Sequence, residues 1–185
     1  MKTQYIVSSP SRTGSTYLCH ILRATKSQVI RTHDCHYLIQ DPANTVLIFS
    51  LRKDSFRSMM SSLIRKRTDG ELSKLDPFEI KCDSVDSEFD MQYNWHRWYV
   101  DSHDLSRPLQ AIKTLYFEDF LNNHQYVYDQ LKLTQNGNIM LPIESQYRYE
   151  QLITNHKKCK ERFDWLEINS KFTPILDVYD PTRPN

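Results

Sequence analysis

Glycine is scarce in this sequence: the 185 residues include three, at positions 14, 70 and 137. A residue without a side chain is used where the backbone needs a positive φ or where another group approaches closely. Gly14 lies within an otherwise polar stretch near the amino terminus. A rare glycine in such a place raises the question of which local requirement it meets.

The sequence also lacks a cysteine framework. Its four cysteines form no C-x-x-C pair and no dense cluster. This spacing does not suit a small scaffold held together by disulfides. We therefore expect reduced thiols in a cytoplasmic protein.

Long apolar runs are absent as well. No stretch approaches the length needed to cross a bilayer, so no membrane span is expected. Residues 1–7 contain one lysine and too short an apolar stretch for a signal peptide, and they predict a strand that begins almost at once. The formal net charge of +1 gives no global attraction to nucleic acid or membrane, so any anion site has to be local.

The composition, with 39% hydrophobic and 25% charged residues, is typical of a soluble globular protein. The length suits one compact domain over residues 1–185, with an extended tail from about residue 169. Nothing in the sequence indicates an oligomeric state.

Short β-type runs alternate with segments that have helical spacing, and this alternation predicts an α/β fold with a parallel sheet. We expect a short parallel sheet of about four or five strands flanked by helices. The acidic segment 68–90 is predicted to be a loop or lid, and residues 118–131 and 144–166 to be helical. The predicted strands are residues 5–7, 29–30, 45–51 and 109–115.

The polar segment 8–16 lies between the first predicted strand and the first helix. Backbone N–H groups and the positive end of a helix dipole converge at such a junction and attract anions. Gly14 permits close approach of the backbone, and Ser15 and Thr16 add hydroxyls. Arg12 adds a guanidinium with paired N–H donors. The Walker A pattern is not met, since no glycine opens the loop and no lysine precedes Ser15. An ordinary capped strand–turn–helix junction is the alternative.

This segment resembles the 5′-phosphosulfate loop of sulfotransferases that use 3′-phosphoadenosine-5′-phosphosulfate (PAPS), with the pattern P-[KR]-[ST]-G-[ST]-[TS]. One extra small residue separates Pro10 from the basic residue, as in bacterial trehalose-type sulfotransferases. The resemblance implies a three-layer, P-loop-like α/β fold in which Arg12 contacts the transferring sulfuryl group. It also implies that the following residues bind the donor: Ser11, Arg12, Thr13, Gly14, Ser15 and Thr16.

Arg52 ends the most apolar predicted strand, at the sheet edge where open α/β sheets bind ligands. A surface arginine paired with Asp54 is the alternative. Beside the first loop, the segment is similar to the sulfotransferase 3′-phosphate motif, an arginine followed by a serine in the next helix. The trehalose-type form R-[RK]-D-x(6)-S selects Ser61, and Ser58 remains open.

Arg31 and His33 follow the second predicted strand and are expected to point to the same side of it. Histidine suits a general base near neutral pH. The segment resembles the K-T-H segment of cytosolic sulfotransferases, which implies that His33 and Arg31 flank the reacting centre. A hydrogen-bonded surface histidine is one alternative. A zinc site in 33–36 is the other, and no metal is expected because a second ligand cluster is absent.

Phe117 occupies the tyrosine position of a segment that resembles the family's Y-E-D motif, which implies contact with the donor's adenine. A buried aromatic residue at a strand end is an equal alternative. The glycine-rich R-K-G segment of cytosolic sulfotransferases is absent.

The resemblance implies transfer of a sulfuryl group from PAPS to a hydroxyl or amine of a small-molecule or glycan acceptor, with PAP as product. His33 would be the base, and Arg12 with Arg31 would stabilise the developing charge. A small P-loop nucleotide or sugar kinase and a catalytically inactive nucleotide-binding module remain as alternatives.

Overall fold

In a computed structural model of the chain, the described residues are 3–33, 39–68, 76–104, 111–139 and 149–170. They fall into two compact units. The first is drawn from Met1–Lys53 and Trp98–Glu144, and the second from Asp54–Arg97 and Ser145–Asn185. The single domain expected from the length stays a prediction.

The first unit contains a four-stranded sheet in which every neighbouring pair is parallel, with the strand order β2-β1-β3-β4. The α/β class and the parallel sheet with helices are as predicted. β1 and β3 are the two central strands, and each is followed in the chain by the outer strand next to it, β2 or β4. The strands are β1 (Gln4–Ser8), β2 (Gln28–Thr32), β3 (Thr45–Leu51) and β4 (Ala111–Tyr116).

Three helices of the first unit pack on one face of this sheet: α1 (Ser15–Arg23), α4 (Phe117–Phe120) and α5 (His124–Leu131). Their apolar side chains meet Val7 and Ile48 of the two central strands. Alternate residues of β3 point to the opposite face and are also buried. Burial on both faces explains why the sequence of this strand is almost continuously apolar.

The second unit is helical, with a core formed by apolar residues of α2, α3 and α7. A parallel bridge pairs Phe78 with Ile153, and the Asn155 side chain bonds both the N–H and the carbonyl of Ile80. Arg162 forms two hydrogen bonds of 2.8 Å with the Asp86 carboxylate. The helices are α2 (Ser55–Thr68), α3 (Cys82–Asp104, of which 82–97 belong to this unit), α6 (Tyr149–Leu152) and α7 (His156–Asn169).

The acidic stretch after residue 81 is helical, not the loop that its charge suggested. Val85 and Phe89, four residues apart, face the core of the second unit, while Asp86 pairs with Arg162. The acidic residues therefore mark the polar side of an amphipathic helix.

The helix predicted over residues 118–131 is divided. α4 ends at Phe120, and the Asn123 side chain accepts a hydrogen bond from the N–H of Tyr126 to begin α5. Of the helix predicted over 144–166, the described part forms two helices, α6 and α7, and residues 140–148 lie outside the described residues. The predicted start of β4 at residue 109 and the tail from 171 lie outside them too.

Among the helices of the described ranges, none combines the length and the apolar character that crossing a membrane requires.

Two isoleucines differ mainly in burial and make a matched test of the sheet core. Ile48 on β3 is 0% exposed, whereas Ile168 near the end of α7 is 80% exposed. We expect Ile48→Ala to lower the free energy of unfolding by about 2–5 kcal/mol, because it deletes buried methyl groups and leaves a cavity. Ile168→Ala should change it by no more than about 0.5 kcal/mol. Urea unfolding monitored by circular dichroism measures both, and equal losses would contradict this placement of the core.

Candidate anion-binding site at the sheet edge

The carboxyl ends of β1 and β3 form a topological switch point, since these adjacent strands connect onward in opposite directions. Ligands of open α/β sheets bind outside the strand ends at such a point. The loop before α1 follows β1, and Arg52 follows β3. His33 and Phe117 follow the two outer strands of the same edge. All of these residues belong to the first unit.

The loop after β1 is held by one hydrogen bond within the loop and by one hydrogen bond from β3. The Thr13 hydroxyl donates to the Pro10 carbonyl at 3.1 Å, and the Ser50 hydroxyl donates to the Thr13 carbonyl at 2.9 Å. Thr13 is only 2% exposed, so its side chain serves the loop itself. Ser50 was not singled out from the sequence. The signal that could have found it is a serine inside a strand that is otherwise apolar and wholly buried.

Two features of the backbone explain why a glycine stands at position 14. Its φ is +79°, and a Cβ at this position would lie 2.1 Å from Cδ2 of Phe117. Arg12, two residues earlier, also has a positive φ of 66°. The chain therefore turns sharply and enters α1 pressed against an aromatic ring.

Gly14 is also the N-cap of α1 and gives no side-chain cap. The first N–H groups of a helix have no intrahelical acceptor, and the dipole makes this end positive. Ser15 is buried and Thr16 is exposed in the first turn, while Ser11 and Arg12 are half-buried in the preceding loop. This arrangement of backbone donors, hydroxyls and an arginine suits an anion.

Arg52 places its guanidinium carbon 4.5 Å from the centre of the Phe117 ring. Its Nε and Nη1 are buried and have no hydrogen-bond partner among the described residues. A buried charged donor without an acceptor is costly. An anion at this edge of the sheet would supply the missing acceptors, and a guanidinium binds phosphate or sulfate oxygens through paired N–H donors.

The Phe117 ring is 6% exposed and packs edge-on against the rings of Tyr17 and Phe120, at centroid distances of 6.0 and 5.6 Å. With Gly14 and Arg52 also in contact, the ring supports the arginine and the loop at once. Its proposed contact with adenine stays a prediction.

Arg31 lies on the exposed edge strand β2, and its Nη1 donates a hydrogen bond to Oγ1 of Thr16. Because the Thr16 oxygen accepts this bond, its own proton remains available for an anion at the start of α1. The structure thus brings Arg31 to the first turn of α1, where it adds positive charge.

His33 is exposed just beyond the end of β2. Its Nδ1 lies 2.8 Å from the Ser9 carbonyl oxygen. A carbonyl only accepts, so Nδ1 carries the proton and Nε2 of the neutral ring carries the lone pair. A histidine whose tautomer is fixed in this way is suited to accept a proton from a substrate at Nε2.

Two acids at the start of α4 hold the residue that follows Arg52. Both belong to the segment that resembles the Y-E-D motif, and the sequence predicted no role for either. Glu118 Oε2 accepts a 3.1 Å hydrogen bond from the backbone N–H of Lys53. Asp119 forms an ion pair with the Lys53 ammonium. The hydrogen bond to the Asp119 carboxylate raises the pKa of Lys53.

The serines selected for the 3′-phosphate, Ser61 and Ser58, are both buried on α2 in the second unit. Their relation to Arg52 stays a prediction. Residues 34–38, which include most of the possible zinc ligands beside His33, lie outside the described residues. Within the described ranges no group of three or more His, Cys, Asp or Glu side chains is placed to hold a metal.

The two buried cysteines, Cys19 and Cys159, are not favoured as nucleophiles. Burial raises the pKa of the Cys19 thiol to about 11 and also raises that of Cys159. A thiol is a poor nucleophile while it stays protonated.

Comparison of the sequence with models of known protein families, and with curated protein sequences, gives no match.

The glycine requirement can be tested with a matched pair of substitutions. Gly14→Ala should lower the free energy of unfolding by about 2–5 kcal/mol, because it adds both a left-handed backbone penalty and a clash with Phe117. Gly137→Ala is the control. Its added Cβ would meet the Ala24 carbonyl oxygen at 3.3 Å, compared with 2.1 Å at Gly14, so this substitution should cost at most about 1 kcal/mol. Thermal and urea unfolding of both variants gives the comparison. Indistinguishable stabilities would contradict this account of Gly14.

Two histidines are expected to show opposite neutral tautomers. His33 should carry its proton on Nδ1, for the reason given above. The Tyr17 hydroxyl donates to the Leu121 carbonyl, so it accepts from His124, whose Nε2 lies 2.9 Å away and must carry a proton. The ¹⁵N chemical shifts of the ring nitrogens above the titration range distinguish the two forms. Finding Nε2–H on neutral His33 would remove its suitability as a base at that nitrogen.

Proposed function

We propose that this protein binds PAPS at the carboxyl edge of its sheet and transfers the sulfuryl group to a hydroxyl or amine of a small-molecule or glycan acceptor. The observation that carries the proposal is the Arg52 guanidinium, whose buried Nε and Nη1 have no partner in the described chain. It shares the Phe117 ring with Gly14, the N-cap of a helix that has no side-chain cap. The two anion-attracting features therefore both contact a single residue.

A donor with two separate anionic groups could engage both of these features. The 5′-phosphosulfate would lie at the start of α1, with its backbone N–H groups and the hydroxyl of Thr16. The 3′-phosphate would take Arg52 as its charged partner. A ligand with only one of these anionic groups should bind more weakly.

The residues of the first unit can be given roles in an in-line transfer. Nε2 of His33 takes the proton of the acceptor group as the acceptor forms its bond to sulfur. The bond between sulfur and the bridging oxygen breaks, and that oxygen leaves with PAP. Arg12, assisted by Arg31, stabilises the charge on the bridging and peripheral oxygens. A sulfuryl group carries less negative charge than a γ-phosphoryl, so arginines are suited to this task.

A kinase would need acidic ligands for Mg²⁺ at the strand ends. The two acids that follow β4, Glu118 and Asp119, are both engaged with Lys53. This pairing favours the sulfotransferase proposal over the kinase. An inactive nucleotide-binding module would share the binding site and differ only in turnover.

The cellular location is proposed from the thiols. Within the described residues, Cys19, Cys82 and Cys159 form no disulfide. Unpaired thiols are usual in reducing compartments, which supports a cytoplasmic protein.

Titration calorimetry with PAP, and separately with ATP and Mg²⁺, tests the donor site. We expect PAP to bind more tightly than Mg-ATP, and Arg52→Ala to weaken PAP binding by about 10- to 100-fold through loss of a charged hydrogen-bond partner. Arg23→Ala is the control, because Arg23 is exposed at the far end of α1. A preference for Mg-ATP, or equal PAP affinity in both variants, would overturn the proposal. PAP release from PAPS with an acceptor mixture then separates an enzyme from an inactive module.

A further inference from the structure

Arg52 is placed by a segment from a distant part of the chain, residues 117–119 at the start of α4. We propose that Glu118 is a positioning residue, whose carboxylate orients Arg52 toward the phosphate that distinguishes PAP from AMP. This inference rests on the proposed function, since it assumes that Arg52 receives the 3′-phosphate.

The main-chain contact is the first support. The Lys53 N–H, which donates to Glu118 Oε2 at 3.1 Å, belongs to the same planar peptide unit as the Arg52 carbonyl. Holding this plane fixes ψ of Arg52 and with it the direction in which the side chain leaves the backbone. Without the bond, the segment after β3 would have one fewer contact to define that direction.

The side-chain contact is the second support. Phe117, the residue immediately before Glu118, lies under the Arg52 guanidinium at 4.5 Å. Phe117 is itself fixed, because its carbonyl accepts the Leu121 N–H at 2.9 Å and its ring is buried. Two consecutive residues therefore hold the two ends of one arginine, its backbone and its guanidinium.

The charge of Glu118 argues against a direct role in binding. Glu118 is exposed, and its negative charge repels a nearby anion. The neighbouring acid, Asp119, is paired with Lys53. The benefit of Glu118 to an anion site has to come from the geometry of its hydrogen bond, which a neutral acceptor of the same length can also provide.

The test compares PAP with AMP, which lacks the 3′-phosphate, on the full-length protein. Glu118→Ala should weaken PAP binding by about 5- to 10-fold, the effect expected for loss of one hydrogen bond, while AMP affinity stays the same. Glu118→Gln should restore most of the PAP affinity, because its amide oxygen still accepts from the Lys53 N–H. In the Arg52→Ala background, Glu118→Ala should have no further effect on PAP binding.

Three results would overturn the inference: unchanged PAP affinity in Glu118→Ala, equal losses for PAP and AMP, or a loss in Glu118→Gln as large as that in Glu118→Ala. If Arg52→Ala weakens PAP binding and Glu118→Ala does not, the positioning role fails and the proposed function stands. If the unsubstituted protein binds PAP no better than AMP, both fail. Glu118→Asp, whose shorter side chain retracts the carboxylate, gives the same comparison if the alanine variant does not fold.

Discussion

The candidate site is organised around the contact between the backbone of Gly14 and the ring of Phe117. The ring occupies the space that a side chain at position 14 would need, and its other contacts include the guanidinium of Arg52. The loop after β1, the arginine after β3 and the aromatic residue after β4 are thus positioned by one another. A bulkier residue in the loop would push the ring away and change the support of Arg52 as well, so the glycine matters beyond its own turn.

Electrostatic attraction at this edge is local, as a chain of net charge +1 requires. Positive character comes from the start of α1, from Arg31 beside it and from Arg52, whose buried nitrogens have no acceptor within the described residues. The acids at the same edge hold Lys53, by its backbone and by its ammonium. A small region can therefore attract a dianionic group while most other charges of the protein balance.

Different parts of the structure were predictable to different degrees. The central strand could be predicted because a strand buried on both faces is continuously apolar. The polar loop could be predicted because a strand–turn–helix junction is short and polar. The acidic stretch after residue 81 was wrongly predicted to be a loop, because its many charged residues hid the helical spacing of Val85 and Phe89. The core that these two residues contact is visible only in the structure. Ser50 was overlooked because one serine in a buried strand gives no sign of what its hydroxyl bonds.

The sequence by itself determined the local features: a β3 strand that must be buried, a glycine that permits close approach to the backbone, and Arg52 at a strand end. These depend on residues close together in the chain, where spacing and side-chain type decide the outcome. The tertiary structure alone decided which ring lies under Arg52, which carbonyl sets the tautomer of His33, and that Glu118 holds a residue 65 positions away. Such contacts follow from strand order and register, which join distant segments and leave no periodic pattern in either one.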